Sequence, residues 1–379
     1  MKKIALLIFM TLCVVSTVLI GCKRNNDVVR VGAIFPLSGS MAFYGNESRD
    51  GALLAIEEIN AAGGILEKQL VMISEDDEGN AEKAVSVFTK LTVKDKISFL
   101  IGSSTSAPTQ AISTLAQNNK VILISPSATN ISVTAAGDFV FRTCFIDSFQ
   151  GVVGAEFAYD YLESRNAAVL YDSGADYNTG LAGMFRDQFI ALGGRIVAYE
   201  AYQTGDEDFN AQITRIRASY PDVVYLPNYL KDVKLQAVQL RNLGVMSALV
   251  GGDGWDGVVD LGGDELLNSY WSSGFTADTT DTKGKAFVDA FLAKYNRTAS
   301  QFAALGYDTI MLLADGIKAA GSFDTEAVKD AIAGIGGYYA TGSIRFDPGR
   351  NPIKGAAIQE IVKQDGELVN VYKAIVNPR

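Results

Sequence analysis

The sequence predicts an α/β protein made of two similar lobes, each with a parallel β-sheet that helices cover on both faces. From residue 28 onward, short apolar segments typical of buried strands alternate with longer segments typical of helices. About nine such strands are too many for one compact small sheet. The alternation also begins again after FRTCFIDSFQ (141–150), which we interpret as a crossing between two lobes.

The first run of the alternation covers residues 28–125. Asn46 is predicted to cap the first helix and Gly63-Gly64 to end it. Pro108 fits the first turn of the third helix. The predicted strands are 28–35, 69–76, 97–102 and 121–125, and the predicted helices are 47–62, 81–94 and 108–119.

The second run and the last third of the chain complete the predicted fold. The last third is less regular and ends in two β segments around Asp365-Gly366, a hairpin signal. The predicted helices are 149–164, 179–192, 209–219, 231–243, 283–295, 302–320 and 325–333. The predicted strands are 167–172, 195–202, 222–227, 248–252, 356–364 and 368–376.

The first 21 residues are predicted to be an export signal, followed by a tether at 22–27. Two lysines precede an apolar run from Ile4 to Ile20, and small residues follow it. A plain membrane anchor is the alternative, but 17 residues is at the short limit for a span. Leu19-Ile20-Gly21-Cys22 resembles the bacterial lipobox, in which the cysteine is acylated. We therefore expect Cys22 to carry lipid and the protein to be exported, either tethered to the outer face of the cytoplasmic membrane or in the periplasm.

Composition and charge exclude several classes of function. The chain has 379 residues and a formal net charge of −10, which argues against nucleic acid as a partner. The absence of histidine removes the commonest metal ligand and the commonest general base. Cys144 is the one cysteine left in the predicted fold, and we expect a buried thiol rather than a nucleophile. We expect no cofactor, no metal and no catalytic residue.

Two predicted strands end in the same kind of segment. ISFLIGSSTSAPTQ (97–110) and VILISPSATN (121–130) both change from apolar residues to small hydroxylated residues. Ligands of parallel α/β sheets bind beyond the carboxyl ends of strands, where helix N-termini favour anions. Ser106 and Thr129 would add hydroxyl donors there, for a carboxylate or a phosphate, although no phosphate-loop motif is present. The alternative is that these residues are ordinary helix caps.

Several motifs in register resemble the leucine/isoleucine/valine-binding proteins, which are solute receptors of ABC importers. They are GAIFPLSGSMAFYGNESRDGALLAIEEINAAGGI (32–65), FLIGSSTSAPTQ, ILISPSATN, RTCFIDSFQG, YDSGADYNTG and VGGDGWDG (250–257). The resemblance implies a type I periplasmic binding protein fold, with two lobes that three crossings join and that close over one amino acid. It implies a monomer that delivers its ligand to ABC permease subunits. We predict lobes of 28–145 with 276–347 and of 146–275 with 348–379.

The resemblance also implies where the charged groups of an amino acid would bind. The serine and threonine that match Ser106 and Thr129 hold the α-carboxylate, together with backbone groups around Ser127 and Ala128. An acidic residue of the second lobe neutralises the α-ammonium group, and Asp253 occupies that position. Relatives often carry the longer glutamate there.

The implied side-chain pocket departs from the pattern of leucine-type receptors. Ser104 and Thr105 stand at positions that are apolar in those receptors, and Phe302 and Trp255 are the remaining apolar walls. A polar or small amino acid therefore fits as well as leucine. The tyrosines expected to close over the ligand are Tyr44, Tyr177 and Tyr229.

Three other functions are alternatives to this interpretation. The same bilobed fold serves as a sensing or regulatory domain for amino acids or amides. A small-amide hydrolase could use Asp253 with a serine, but there is no G-x-S-x-G motif. GGDGWDGVV fits one calcium-binding nonapeptide, an architecture that needs stacked copies, and the chain has no second copy.

Overall fold

The computed structural model describes residues 28–376, and the predicted export signal and Cys22 lie outside this range. The strands are β1 (Val28–Phe35), β2 (Gln69–Asp76), β3 (Phe99–Gly102), β4 (Ile122–Ser125), β5 (Val140–Arg142), β6 (Asn166–Asp172), β7 (Arg195–Tyr202), β8 (Val223–Leu226), β9 (Ala248–Gly251), β10 (Ser269–Ser273), β11 (Gly336–Tyr339), β12 (Gly342–Arg345), β13 (Ala356–Gln364) and β14 (Glu367–Val376). The α-helices are α1 (Ala42–Ala61), α2 (Ala81–Thr89), α3 (Ser106–Asn119), α4 (Ser132–Ala135), α5 (Asp147–Glu156), α6 (Asp176–Ala191), α7 (Asn210–Ala218), α8 (Leu230–Asn242), α9 (Thr282–Tyr295), α10 (Gln301–Ala320) and α11 (Thr325–Ala333).

The strands form two large sheets, one in each lobe, and a separate two-stranded antiparallel sheet of β11 and β12. The first sheet has the order β2-β1-β3-β4-β5 and is parallel throughout. The second has the order β14-β13-β10-β9-β8-β6-β7; its strands β6 to β10 are parallel, and β13 and β14 are antiparallel additions. The chain passes between the lobes after β5, after β10 and after β12. The predicted fold class is confirmed.

Both faces of each sheet are buried, which is why the strands read as continuous apolar runs. In β4, Ile122 and Ile124 pack in the core that contains residues of α1 and α10. Leu123 points to the opposite face and packs with residues of α2 and α3. Strand β8 divides its side chains between two cores in the same way.

The start of helix α1 differs from the sequence prediction. Helix α1 begins at Ala42 rather than Glu47, so the prediction that Asn46 caps it is wrong. Asn46 lies within the helix, and its amide donates to the backbone oxygens of Leu37 (3.1 Å) and Ala42 (2.7 Å). The helix ends before Gly63 and Gly64, as predicted, and both have positive φ.

Three strand regions were not predicted: β5, β10 and the hairpin of β11 and β12. Strand β10 has the sequence SYWSS, and all five residues are buried although three are serines. Because these serines are polar, the segment lacks the apolar character expected of an internal strand.

Helices α1 and α10 approach each other closely at Gly51 and Gly306. A Cβ atom on Gly51 would lie 1.8 Å from the backbone oxygen of Ala303, and one on Gly306 would lie 2.1 Å from that of Ser48. Both positions therefore require glycine. This packing matters for function because α1 and the start of α10 both contribute to the cavity described below.

We expect Gly51→Ala to lower the free energy of unfolding by about 1–3 kcal/mol, because the added methyl group must push two helix backbones apart. Gly183→Ala is the matched control, since a Cβ atom there meets no atom within 4 Å. The control should raise the free energy of unfolding by about 0.5–1 kcal/mol through the higher helix propensity of alanine. Denaturant titration of both variants measures the difference, and equal midpoints for the two would contradict the packing argument.

Candidate functional site

A cavity with about 220 Å³ of empty space lies between the lobes, beyond the carboxyl ends of the parallel strands. Its walls come from α1, the segments after β3 and β4, and the start of α10 in the first lobe. The second lobe contributes the start of α6, the residue before α8 and the segment after β9. The lining residues are Tyr44, Ser104, Ser106, Ser127, Tyr177, Tyr229, Asp253, Gly254 and Phe302.

The segments after β3 and β4 lie side by side because these strands are neighbours in the first sheet. Ser127 donates its hydroxyl to the backbone oxygen of Ser104 at 2.7 Å, and the backbone N–H of Asn130 donates to the Ser106 hydroxyl at 3.4 Å. Small side chains thus bring the start of α3 and the loop after β4 together. Ser106 is the first residue of α3, where backbone N–H groups favour an anion.

One hydroxyl group of these two segments has no partner within the described chain. The Thr105 hydroxyl is buried and lacks a hydrogen bond there, while the hydroxyls of Ser103 and Thr129 lie next to the carboxyl groups of Asp77 and Asp147. A buried hydroxyl without a partner costs about 1–3 kcal/mol, so this wall has unused capacity to donate.

Asp253 is the acidic residue of the opposite wall. It is 4% exposed, and its Oδ1 accepts hydrogen bonds from the Tyr177 hydroxyl (2.9 Å) and the Gln150 amide (3.1 Å). The Gln150 Oε1 accepts from the Asp253 backbone N–H at 2.5 Å. Burial raises the pKa of Asp253 to about 6, against the opposing effect of the hydrogen bonds from Tyr177 and Gln150. The carboxyl group is therefore held in one orientation while its charge is only partly compensated.

Aromatic side chains connect the two walls. The Tyr44 hydroxyl donates to the backbone oxygen of Gly254 (2.7 Å) and accepts from the backbone N–H of Leu230 (2.9 Å), which joins α1 to the second lobe. The rings of Tyr177 and Tyr229 stack with centroids 4.9 Å apart. Burial raises the pKa of Tyr44 well above its usual value, so its hydroxyl stays protonated.

Four of the predicted site residues do not line the cavity. Thr105, Ala128 and Thr129 are buried within the two loops of the first lobe. Trp255 is fully buried in the second-lobe core, and its indole N–H donates to the backbone oxygen of Leu226 at 2.9 Å. Trp255 is thus positioned behind the cavity wall.

Cys144 is buried, as predicted, with its sulfur 3.5 Å from the backbone oxygen of Ala128. Burial raises the pKa of its thiol to about 12, so it is a poor nucleophile at neutral pH.

Sequence reasoning missed three polar residues around Asp253. Gln150 orients its carboxyl group, and the Gln301 amide donates to its backbone oxygen at 2.9 Å. Asp147 is 2% exposed, and its carboxyl group lies next to the side chains of Thr129 and Gln150. Burial raises the pKa of Asp147 to about 7. An acidic residue and a glutamine close together in FIDSFQ were the available signal.

Residues 28–376 offer neither a membrane-spanning helix nor a cluster of metal ligands. No helix there combines the length and the apolar character that a bilayer crossing requires. No group of three or more acidic or cysteine side chains in the same range could hold a metal ion.

Comparisons with known proteins identify the family. A family model described as periplasmic binding protein matches residues 28–367. A leucine-, isoleucine-, valine-, threonine- and alanine-binding protein of Pseudomonas aeruginosa is 31% identical over 329 residues, which is 85% of this chain and 86% of that protein. A Leu/Ile/Val-binding protein of Rhizobium johnstonii is 35% identical over 308 residues, or 80% and 83% of the two chains.

Solved structures agree with the sequence matches. The branched-chain amino acid binding protein LivJ of Streptococcus pneumoniae, in complex with isoleucine, has a TM-score of 0.86 and 35% identity, and covers 93% of this chain and 100% of its own. The leucine-binding protein LivK of Thermotoga maritima has a TM-score of 0.87 and 30% identity, with 92% and 99% coverage. The sequence resemblance is confirmed, and the chain belongs to the periplasmic binding protein family.

Proposed function

We propose that the protein is an extracytoplasmic receptor that captures one amino acid between its lobes and delivers it to an ABC importer. The observation that carries the proposal is the pairing of two chemically opposite walls across one small cavity. Hydroxyl and backbone N–H donors lie on the first lobe, and the buried carboxyl group of Asp253 lies on the second. The names of the relatives, which include amino-acid-binding proteins, support the same function.

The first wall suits an α-carboxylate. Ser106 begins helix α3 and faces the cavity, so its hydroxyl and the first N–H groups of the helix can converge on one anion. The buried Thr129 hydroxyl lies next to the carboxyl group of Asp147, and a small shift of its loop would turn it toward the ligand. Ser127 and Ala128 would contribute their backbone groups.

The second wall suits an α-ammonium group. A buried carboxylate is costly unless a cation or several hydrogen bonds compensate it. Tyr177 and Gln150 supply two hydrogen bonds to Asp253, and both go to Oδ1. A ligand ammonium group would supply the missing positive charge. The shorter reach of aspartate is matched here by its position directly on the cavity wall.

The side-chain end of the cavity is small and of mixed polarity. Phe302 and Tyr44 form an apolar surface, with ring centroids 4.9 Å apart. Ser104 lies opposite, and its hydroxyl already bonds to that of Ser48 at 2.9 Å. Because this serine pair satisfies itself, the pocket can accept a short aliphatic side chain without leaving a polar group unpaired. In the arrangement described here the cavity has only about 10 Å³ of free room, enough for roughly one water molecule, so a solute can enter only when the lobes separate.

Ligand capture would proceed by closure of the two lobes, which we assign to residues 28–145 with 276–347 and 146–275 with 348–379. The charge-bearing ends of the ligand contact different lobes, so the ligand stabilises the closed arrangement. A receptor of this kind acts as a monomer and presents the closed form to the permease.

Substitution of Asp253 tests the proposed function. A thermal-shift screen of the mature chain against the common amino acids first identifies the ligand, because binding to the folded state raises the melting temperature. We expect Asp253→Asn to weaken binding of that ligand by about 1.5–3 kcal/mol, because the ammonium group loses its counter-charge. Titration calorimetry measures the affinity. Asp187→Asn, at an exposed position of α6, is the control and should bind as the wild type does. Wild-type affinity in Asp253→Asn would refute the ammonium partner.

The affinity should also depend on pH. Burial raises the pKa of Asp253 to about 6, while pairing with a cation requires the ionised form. Affinity should therefore be constant from about pH 8 to 7 and fall as the pH drops below about 6, approaching tenfold per pH unit because one proton is displaced on binding. Calorimetry across this range measures the change, and the slope should vanish in Asp253→Asn. A slope that survives in Asp253→Asn but vanishes in Asp147→Asn would assign the proton to Asp147 instead.

We also propose that Cys22 carries the lipid that tethers the receptor outside the cytoplasm. The lipobox-like Leu19-Ile20-Gly21-Cys22 supports this, and several acyl chains on one cysteine would hold the protein stably. Cells labelled with radioactive palmitate should yield labelled wild-type protein and unlabelled Cys22→Ala. Cys13→Ala, within the predicted signal, is the control and should keep the label. Label retained by Cys22→Ala would exclude the anchor.

A further inference from the structure

A second and larger cavity lies beside the crossing that follows β10. It has about 1380 Å³ of empty space, part of which is open to solvent. Both lobes form its walls: α1 and residues 297–301 belong to the first lobe, while residues 256–260, β10, β13 and β14 belong to the second. None of the residues that line the cavity next to Asp253 lines this one.

Thin walls separate the two cavities. Phe43 lines the second cavity and its ring packs edge-on against that of Phe302, which lines the first, with centroids 6.2 Å apart. Gln301 also lines the second cavity, while its side-chain amide donates to the Asp253 backbone oxygen. The second cavity is thus a distinct space with its own chemistry.

Two carboxyl groups of the second cavity are almost fully buried: Glu47 is 7% exposed and Asp256 is 8% exposed. Glu47 is compensated, because it forms a salt bridge with Arg297 and accepts a hydrogen bond from the Ser300 hydroxyl at 2.7 Å. Arg297 is also paired with Asp50 at 2.8 Å, so it has no charge to spare.

Asp256 differs from Glu47 in having no cationic partner within residues 28–376. Its Oδ2 accepts a hydrogen bond from the backbone N–H of Gln301 at 2.8 Å, which is a neutral donor. Burial raises the pKa of this carboxyl group to about 7, as expected for a carboxylate without a counter-charge. Exposed Asp260 and Asp278 at the cavity wall add further negative potential.

The remaining walls are partly aromatic and partly polar; the polar part includes Ser273, Thr276, Gln359 and Asn370. Phe43, Trp271 and Phe275 contribute rings from α1, β10 and the crossing. The Trp271 indole N–H is already bonded to the Asn370 side chain at 3.1 Å, so it offers the cavity no free donor. Aromatic walls beside a buried carboxylate attract a cation both by charge and through the ring quadrupoles.

We propose that this cavity is a second binding site, which takes a small organic amine. The ammonium group pairs with Asp256, and the apolar part of the amine contacts Phe43, Trp271 and Phe275. An anion is disfavoured there by the surplus of carboxylates, and a metal ion by the aromatic walls. The site stands independently of the amino-acid site, because it uses none of the same lining residues.

Benzylamine is a suitable probe, and benzyl alcohol is its uncharged counterpart of nearly the same shape. Saturation-transfer NMR and calorimetry with the folded protein should show binding of benzylamine and at least tenfold weaker binding of benzyl alcohol. Asp256→Asn should reduce benzylamine affinity at least tenfold, while Asp187→Asn leaves it unchanged. No binding of benzylamine, or equal binding of the two compounds, would overturn the proposal.

A crystal soaked with 4-bromobenzylamine provides a second measurement that does not depend on the folding of a variant. The anomalous signal of bromine should lie between the two lobes beside Phe43 and Trp271. A bromine position in the cavity next to Asp253, or only on the surface, would reject the second site. Because this experiment contains no amino acid, its failure leaves the proposed receptor function to be judged by the Asp253 variant.

Discussion

The buried carboxyl group of Asp253 is the constraint on which the rest of the site depends. An ionised carboxylate that is only 4% exposed carries a large desolvation cost, which the hydrogen bonds from Tyr177 and Gln150 offset only in part. Tyr177 and Gln150 fix the direction of the group, but they do not neutralise it. In the proposed function, closure of the lobes around Asp253 would become favourable when a cationic group enters with the ligand, and this would link ligand charge to conformation.

Polar and aromatic contacts together hold the lobes in place; the Tyr44 and Tyr229 rings, for example, lie 5.3 Å apart. Tyr44 bridges to Gly254 and Leu230, and the Asn130 amide donates to the backbone oxygen of Asp176 at 3.1 Å. Hydrogen bonds of this kind contribute about 0.5–1.5 kcal/mol each, since water replaces them when the lobes separate. In the proposed function, a ligand that contacts both lobes adds to these contacts and shifts the balance toward the closed form.

The sequence predicted the strands well where their buried residues are apolar. It predicted them poorly where buried residues are polar. Strand β1 was predicted with its observed bounds because apolar residues continue along it. Strand β10 was missed because its serines satisfy polar contacts inside the protein; the Ser272 hydroxyl, for example, donates to Gln150 at 2.9 Å. The prediction that Asn46 caps helix α1 was wrong because its side chain instead bonds to the preceding loop, at the backbone oxygen of Leu37. The sequence alone does not distinguish these two roles of an asparagine.

Most of the residues that line the cavity could be predicted from the family motifs, but not the residues that orient them. Gln150 and Asp253 are 103 positions apart, and no local pattern shows that their side chains meet. The family resemblance implied that Trp255 is an apolar wall of the ligand pocket. The position of the residue beside Asp253 does not show which way its ring points. Its ring instead packs over Gly251, where a Cβ atom would lie 2.1 Å from the indole.

The tight turn GGDGWDG explains how one short segment serves two cavities. Residues Asp253–Trp255 form a single 3₁₀ turn, and this turn directs Asp253 into the small cavity and Asp256 into the large one. Glycine is required around them: a Cβ atom on Gly252 would meet the Gln150 and Tyr177 side chains within 2.8 Å, and Gly257 has φ +86°. The alternation of Gly and Asp therefore arises from backbone crowding between two cavities. In a calcium-binding repeat the carboxylates would all have to point toward one ion. Here the carboxyl groups of Asp253 and Asp256 point into different cavities, and the buried Trp255 lies between them in the chain.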